Sequence, residues 1–136
     1  MVSVLLIEDD DVEAERVCRA LSKAEVPFPV RRASDGLEAL DILRGTTPPP
    51  MAEPFIILLD LKLPRMSGLE FLKELRGNPK LKHIVVFVLT TSSNEADRRE
   101  AYEFQIAGYL LKSGLDANFD NSTRMLSHYC SIVTFR

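Results

Sequence analysis

Long runs of apolar residues alternate along this chain with segments of helical periodicity, and this alternation restricts its fold more than any other feature. The runs at 2–7, 55–60 and 84–90 are continuous and rich in β-branched residues, as expected for strands covered on both faces of a parallel sheet. A shorter run lies at 108–112, and a weaker one at 29–33 contains two arginines, which suit an edge strand better than a central one. The sequence therefore predicts five strands.

The segments between these runs carry the spacing and the end signals of amphipathic helices. Their apolar residues recur at intervals of three and four, as on one face of a helix. Ser67 and Glu70 form a capping-box pair, Ser92 and Glu95 repeat that signature, and a last helical pattern runs from Leu115 nearly to the C-terminus. The alternation predicts an α/β fold: a flavodoxin-like, doubly wound five-stranded parallel sheet of order 2-1-3-4-5, with helices on both faces.

Length and composition restrict the classes of function. At 136 residues, with 46% hydrophobic and 27% charged residues, residues 1–136 are expected to form a single domain. The formal net charge of −3 provides no basic field for a phosphate backbone, so no DNA binding by this chain is expected. Since the sequence has neither a run of about 20 apolar residues nor a signal peptide, we expect a cytoplasmic protein without membrane contact. Cys18 and Cys130 match no metal or redox spacing and are interpreted as buried thiols.

Acidic residues follow two predicted strands that would be neighbours in this sheet. Glu8 and Asp9 come after the first strand, and Asp60 ends the third. Since ligands bind at the carboxyl ends of parallel strands and neighbouring strands lie about 4.8 Å apart, these carboxylates are expected to converge. Mg²⁺ prefers oxygen ligands and would relieve their mutual repulsion. The sequence predicts a Mg²⁺ site here, with Asp10 and Asp11 placed instead at the positive end of the first helix.

A hydroxyl and an ammonium group are expected on the other flank of this site. Thr90 ends the fourth predicted strand and Lys112 ends the fifth. A carboxylate, a divalent cation, a lysine and a hydroxyl are the groups that attack on a phosphoryl group requires. The interpretation is that Asp60 supplies the nucleophilic oxygen and becomes an aspartyl phosphate.

With these residues in this order, the sequence resembles the receiver domain of response regulators of the chemotaxis-regulator type, from residue 2 to about residue 113. The resemblance rests on motifs that follow the predicted strands: ED (8–9), LLDLKLPRMSGLEFL (58–72), VLTTSS (88–93) and GYLLK (108–112). It implies a two-component protein in which Asp60 accepts a phosphoryl group from the histidine of a sensor kinase or phosphotransfer protein. By resemblance, Asp9, Asp60 and the backbone carbonyl of Lys62 bind Mg²⁺, with Glu8 acting through water, and the only catalysis is self-phosphorylation and autodephosphorylation.

The resemblance also implies a switch and a partner. The Thr90 hydroxyl would move to the phosphoryl group and Tyr109 would rotate inward, which would change the face formed by helix 4, strand 5 and helix 5. The amino-acid sequences of the motifs are similar to those of single-domain receivers that are paired with phytochrome-type sensor kinases. Output is then expected through the surface of the receiver, by partner binding or as a homodimer.

One position departs from the family pattern. Ser113 stands where the family usually has proline, often with a cis bond, directly after the lysine. A cis bond without proline costs about 2.5–4 kcal/mol. This cost favours a trans bond without deciding between cis and trans, and the hypothesis is that the site still works with a weaker or slower contact from Lys112.

Three other functions compete with a phosphorylated receiver. A phosphatase of the haloacid-dehalogenase type also uses an aspartate after a strand, but it needs a second acid where this chain has Lys62. A pseudo-receiver that only binds partners would keep the fold, and Ser113 keeps this alternative open. A flavin or nucleotide binder is disfavoured, because the carboxylates after the first strand would repel a phosphate group.

Overall fold

Strands and helices alternate from the N-terminus to the C-terminus of the chain. The computed structural model describes residues 2–23, 28–90, 94–111, 115–132 and 135, with side chains except at 111 and 115–122. The elements are β1 Ser3–Ile7, α1 Asp11–Ser22, β2 Val30–Ala33, α2 Gly36–Arg44, β3 Phe55–Leu59, α3 Gly68–Gly77, β4 Val86–Thr90, α4 Glu95–Glu103, β5 Gly108–Leu111 and α5 Leu115–Ile132.

The strands form one parallel sheet in the order β2-β1-β3-β4-β5. This is the predicted flavodoxin-like topology, so the predicted strand order is confirmed. Ile7 of β1 is level with Leu59 of β3. The ladder continues one residue further, since the Asp60 amide donates to the Ile7 carbonyl at 3.1 Å and the Glu8 amide donates to the Ala33 carbonyl at 3.0 Å. The residues that follow β1 and β3 therefore leave the sheet at the same edge.

Each face of the sheet has its own apolar cluster, which explains the continuous apolar runs. Successive strand residues point to opposite faces. Leu5 and Ile57 pack in one cluster with residues of α2, α3 and α4, such as Phe71. Val4 and Leu58 pack in the other cluster with residues of α1 and α5. Since helices cover both faces, the buried positions of β1 and β3, 4–7 and 56–59, are all apolar.

The edge strand β2 carries the two arginines that the sequence analysis noted. Arg31 donates hydrogen bonds to backbone carbonyls within 47–49, in the proline-rich segment that connects α2 to β3. That segment therefore lies beside the open edge of the sheet, where an unpaired strand would otherwise be accessible to other chains.

Two details of the helices refine the prediction. The capping box of α3 is present, with the Glu70 amide donating to Ser67 Oγ and the Ser67 amide donating to the Glu70 carboxylate. In α4 the N-cap is Asn94, whose side chain accepts from the Asp97 amide at 3.1 Å. Ser92, the predicted cap, lies outside the described residues.

Cys18 and Cys130 are half-buried free thiols at the α1–α5 side of the sheet. Burial raises the pKa of both thiols, and for Cys18 this outweighs the opposing effect of Arg32. A raised pKa lowers the fraction of reactive thiolate, which agrees with a packing role. Within the part of the chain that the structure describes, no helix is long and apolar enough to cross a membrane.

Candidate metal and phosphoacceptor site

Three carboxylates meet at the carboxyl edge of the sheet, and we call Glu8, Asp9 and Asp60 the acidic site. One oxygen of each carboxylate lies within 4.8 Å of the other two. Glu8 is 1% exposed and Asp60 is 8% exposed, whereas Asp9 faces the solvent. Oxygen donors at this spacing, with one open side, fit a hard divalent cation that keeps some of its water. The structure thus brings together the three acids expected to converge.

The other two acids of the β1–α1 connection are engaged elsewhere. Asp10 Oδ1 accepts hydrogen bonds from two backbone amides in the first turn of α1, at 2.9 and 3.1 Å. Asp11 accepts from Arg32 Nη1 at 2.7 Å, and Arg32 Nε also donates to the Glu8 carbonyl at 2.9 Å. Asp10 is thus engaged as the N-cap of α1 and Asp11 in a salt bridge with Arg32, so neither belongs to the acidic site.

The β3–α3 loop, residues 60–67, holds Asp60 in place. The Lys62 amide donates to Asp60 Oδ1 at 3.2 Å, while the Lys62 side chain is exposed. At the end of the loop, the Gly68 amide donates to the Leu61 carbonyl at 2.9 Å. A Cβ atom on Gly68 would lie 2.6 Å from Leu61 Cα and 2.7 Å from the Asp60 carbonyl oxygen. Only glycine allows this approach, a role that the sequence analysis missed although Gly68 lies inside its quoted motif.

A second link to this loop was also missed. Asp35 is buried, and its Oδ2 accepts from Arg65 Nε at 2.9 Å and from Arg65 Nη2. Its Oδ1 accepts from the Glu38 amide at 2.9 Å and so caps α2. Burial alone would raise the pKa of Asp35, but these hydrogen bonds and the Arg65 charge bring that pKa below its usual value. Asp35 is therefore a carboxylate held in its charged form.

The remaining predicted residues lie on β4 and β5 or beyond them. Thr90 is fully buried at the end of β4, and the register of Leu59 with Val88 places it at the same edge as Asp60. Tyr109 is half-buried in β5 and packs against the cluster of α2, α3 and α4. Lys112 and Ser113 lie outside the described residues, so their predicted roles stay predictions.

Residues 4–121 match the family model of the response regulator receiver domain. The chain therefore belongs to the response regulator receiver family of two-component signalling. This class consists of signalling proteins that act with histidine kinases rather than of enzymes with a separate substrate, which favours the receiver over the phosphatase alternative.

Particular relatives define the type of receiver. Response regulator Rcp1 of Synechocystis sp. is 39% identical over 115 residues, which are 81% of this chain and 76% of Rcp1. The crystal structure of Mn²⁺-bound Rcp1 superposes on this chain with a TM-score of 0.82 and 34% identity, and the superposition covers 99% of this chain and 98% of the Rcp1 chain. The crystal structure of the phosphorylated cyanobacterial phytochrome response regulator RcpA superposes with a TM-score of 0.83 and 32% identity, over 98% of this chain and 96% of the RcpA chain. The chain is thus a receiver similar to phytochrome-associated response regulators.

Proposed function

We propose that this protein is a phosphoacceptor receiver in which Asp60 takes a phosphoryl group from a partner kinase histidine in the presence of Mg²⁺. The observation that carries the proposal is the meeting of three carboxylate oxygens within 4.8 Å around a buried aspartate at the end of a central strand. The Mn²⁺-bound state of Rcp1 and the phosphorylated state of RcpA support it.

The cation would be held by Asp9, Asp60 and the backbone carbonyl of Lys62, with Glu8 acting through water, and when bound it supplies positive charge to the phosphoryl oxygens. An Asp60 carboxylate oxygen attacks phosphorus as the bond to the donor nitrogen breaks. The Lys62 amide, which donates to Asp60 Oδ1 at 3.2 Å, orients the carboxylate for this attack.

Two further side chains complete the proposed chemistry. The Thr90 hydroxyl donates to one phosphoryl oxygen, and the Lys112 ammonium pairs with another. Attack of water on the acyl phosphate later returns the carboxylate and free phosphate, which is the autodephosphorylation step.

The proposed output is a change of surface shape. Thr90 moves toward the phosphoryl group, Tyr109 fills the space that this leaves, and the face formed by α4, β5 and α5 changes with them. Likeness to RcpA, a phytochrome response regulator by its description, supports a phytochrome-type kinase as the partner. We include in the proposal that residues 1–136 form one receiver domain, that it acts in the cytoplasm where kinases obtain ATP, and that the changed face binds a partner or a second copy.

Intact-mass analysis tests the proposal. Wild-type protein incubated with Mg²⁺ and acetyl phosphate is expected to gain the mass of one phosphoryl group, which EDTA prevents. Asp60→Asn is expected to gain none, because its amide is not a nucleophile. Asp41→Asn is the matched control, since Asp41 is an exposed aspartate of α2, and it should be modified like the wild type. A wild-type protein that stays unmodified with every activated donor, or an Asp60→Asn protein that is still modified, would refute the proposal.

A further inference from the structure

We propose that the Asp35–Arg65 ion pair is a positioning device for the β3–α3 loop, and that it thereby sets the affinity of the acidic site for a divalent cation. The inference rests on the proposed function, because it assumes that the acidic site binds Mg²⁺. Neither residue belongs to the acidic site, so the pair acts only through the loop.

The pair joins two separate parts of the fold. Arg65 lies between β3 and α3, whereas Asp35 precedes the first turn of α2. The Asp35 side chain is 7% exposed, and the Arg65 side chain is 61% exposed. Both oxygens of the carboxylate are used, one for the guanidinium and the other for the cap of α2. A charge-assisted pair with one buried partner is stronger than an exposed salt bridge.

The backbone of the loop needs such an anchor. Arg65 has a φ of 64°, a left-handed conformation that is disfavoured for a residue with a side chain and persists where its surroundings impose it. The next residue supplies a second contact, since a Cβ atom on Gly36 would lie 3.1 Å from Met66 Sδ. Residues 65 and 66 therefore contact the first residues of α2 and its N-cap directly.

The route from this anchor to the acidic site is short. Lys62 lies three residues before Arg65, and its amide donates to Asp60 Oδ1. The loop is also held at its far end by the Gly68 amide on the Leu61 carbonyl and by the capping box of α3. The ion pair adds a contact at Arg65, between Leu61 and Ser67. Its loss would let the Lys62 backbone move relative to the Asp60 carboxylate.

Cation titrations of charge-removing variants test the inference. Arg65→Met removes the guanidinium, and Asp35→Asn removes the charge but keeps a good capping residue for α2. We expect each variant to bind Mg²⁺ about tenfold more weakly than the wild type by calorimetry, which is at the low end of the cost of losing a group that positions metal ligands. The double variant should bind no more weakly than either single variant, because both substitutions break the same contact.

The sign of the Arg65→Met effect separates positioning from simple electrostatics. Removing a positive charge from the neighbourhood of an acidic site would strengthen cation binding if charge alone mattered, whereas loss of positioning weakens it. Arg44→Met is the matched control, because Arg44 of α2 pairs with Glu74 of α3 at 3.9 Å on the surface, away from the β3–α3 loop. It should leave the Mg²⁺ affinity unchanged.

Amide hydrogen exchange supplies a second readout. The Lys62 amide is expected to exchange faster in both single variants than in the wild type, with exchange in β1 unchanged. Unchanged or tighter Mg²⁺ binding by Arg65→Met and Asp35→Asn would overturn the positioning role and leave the proposed function intact. A wild-type protein that binds no Mg²⁺ would overturn both.

Discussion

At the scale of single residues, Gly68 is the position where one added carbon atom has the largest predicted effect. Its missing Cβ leaves room for the backbone of Leu61 and Asp60, at 2.6 and 2.7 Å from where that atom would lie. Both neighbours are backbone atoms, which cannot rotate away as a side chain can. Gly68→Ala is therefore expected to lower the free energy of unfolding by about 1–3 kcal/mol, measured by urea denaturation. It should also weaken Mg²⁺ binding, because a shift of the Asp60 backbone moves the Asp60 carboxylate.

Gly77 provides the control for this substitution. It is the last residue of the same helix, α3, and a Cβ atom there would meet nothing within 4 Å. Gly77→Ala should leave Mg²⁺ binding unchanged and raise the free energy of unfolding by about 0.4–1 kcal/mol, because alanine restricts the unfolded chain. If both substitutions changed the free energy of unfolding and the Mg²⁺ affinity equally, the close backbone approach at Gly68 would not be important for stability or binding.

At the scale of elements, Arg76 holds the ends of several helices and strands together. From the last turn of α3 it donates to the carbonyls of Phe104 at 2.6 Å, Lys82 at 2.8 Å, Ile84 at 2.8 Å and Gln105 at 3.1 Å. These carbonyls belong to the α3–β4 and α4–β5 connections, so one guanidinium joins the two loops that precede β4 and β5. Partial burial lowers the pKa of Arg76, but an arginine remains charged at neutral pH.

Arg76→Met is expected to lower the free energy of unfolding by about 2–4 kcal/mol in urea denaturation, because partly buried carbonyls lose their donors. Arg76→Lys should recover only part of this loss, since an ammonium lacks the planar fork that reaches several carbonyls at once. Arg99→Met tests for a general effect of losing an arginine, because Arg99 makes an exposed i,i+4 pair with Glu95, and it should change stability by no more than about 0.5 kcal/mol. A similar loss of stability in Arg76→Met and Arg99→Met would contradict the role of Arg76 in joining the two loops.

The elements were predictable from the sequence to different degrees. Apolar runs identify strands because both faces of the sheet are covered, and the arginines of β2 correctly indicated its edge position. The Asp35–Arg65 contact and the contacts of Arg76 with Phe104 and Gln105 were not predictable, because each joins residues about 30 positions apart through loop conformations that leave no periodic pattern. The N-cap of α4 could not be predicted either, because Ser92 and Asn94 are both good capping residues and lie only two positions apart. Convergence of the acidic site was predictable because it follows from strand order alone.

At the scale of the whole molecule, the parallel register gathers three carboxylates at one edge of the sheet. Glu8 and Asp60 are buried beside Asp9, and the mutual repulsion of carboxylates this close lowers stability, an effect that a divalent cation bound to all three would offset. Asp10 and Asp11 do not add to this cost, because the cap of α1 and Arg32 engage them. The stability of the domain should therefore depend on divalent cations through the acidic site.

Urea denaturation with and without Mg²⁺ tests this dependence. In EDTA, Asp60→Asn is expected to be more stable than the wild type by about 1 kcal/mol, because one of three neighbouring charges is removed. With Mg²⁺ at about 100 times its dissociation constant, the free energy of unfolding of the wild type should rise by about 2.7 kcal/mol. That of Asp60→Asn, which has lost a ligand, should rise much less. The order of stability of the two proteins should therefore reverse. Asp41→Asn, an exposed substitution in α2, should follow the wild type under both conditions. An order that stays the same in EDTA and in Mg²⁺ would mean that the three carboxylates lie close together without forming a cation site.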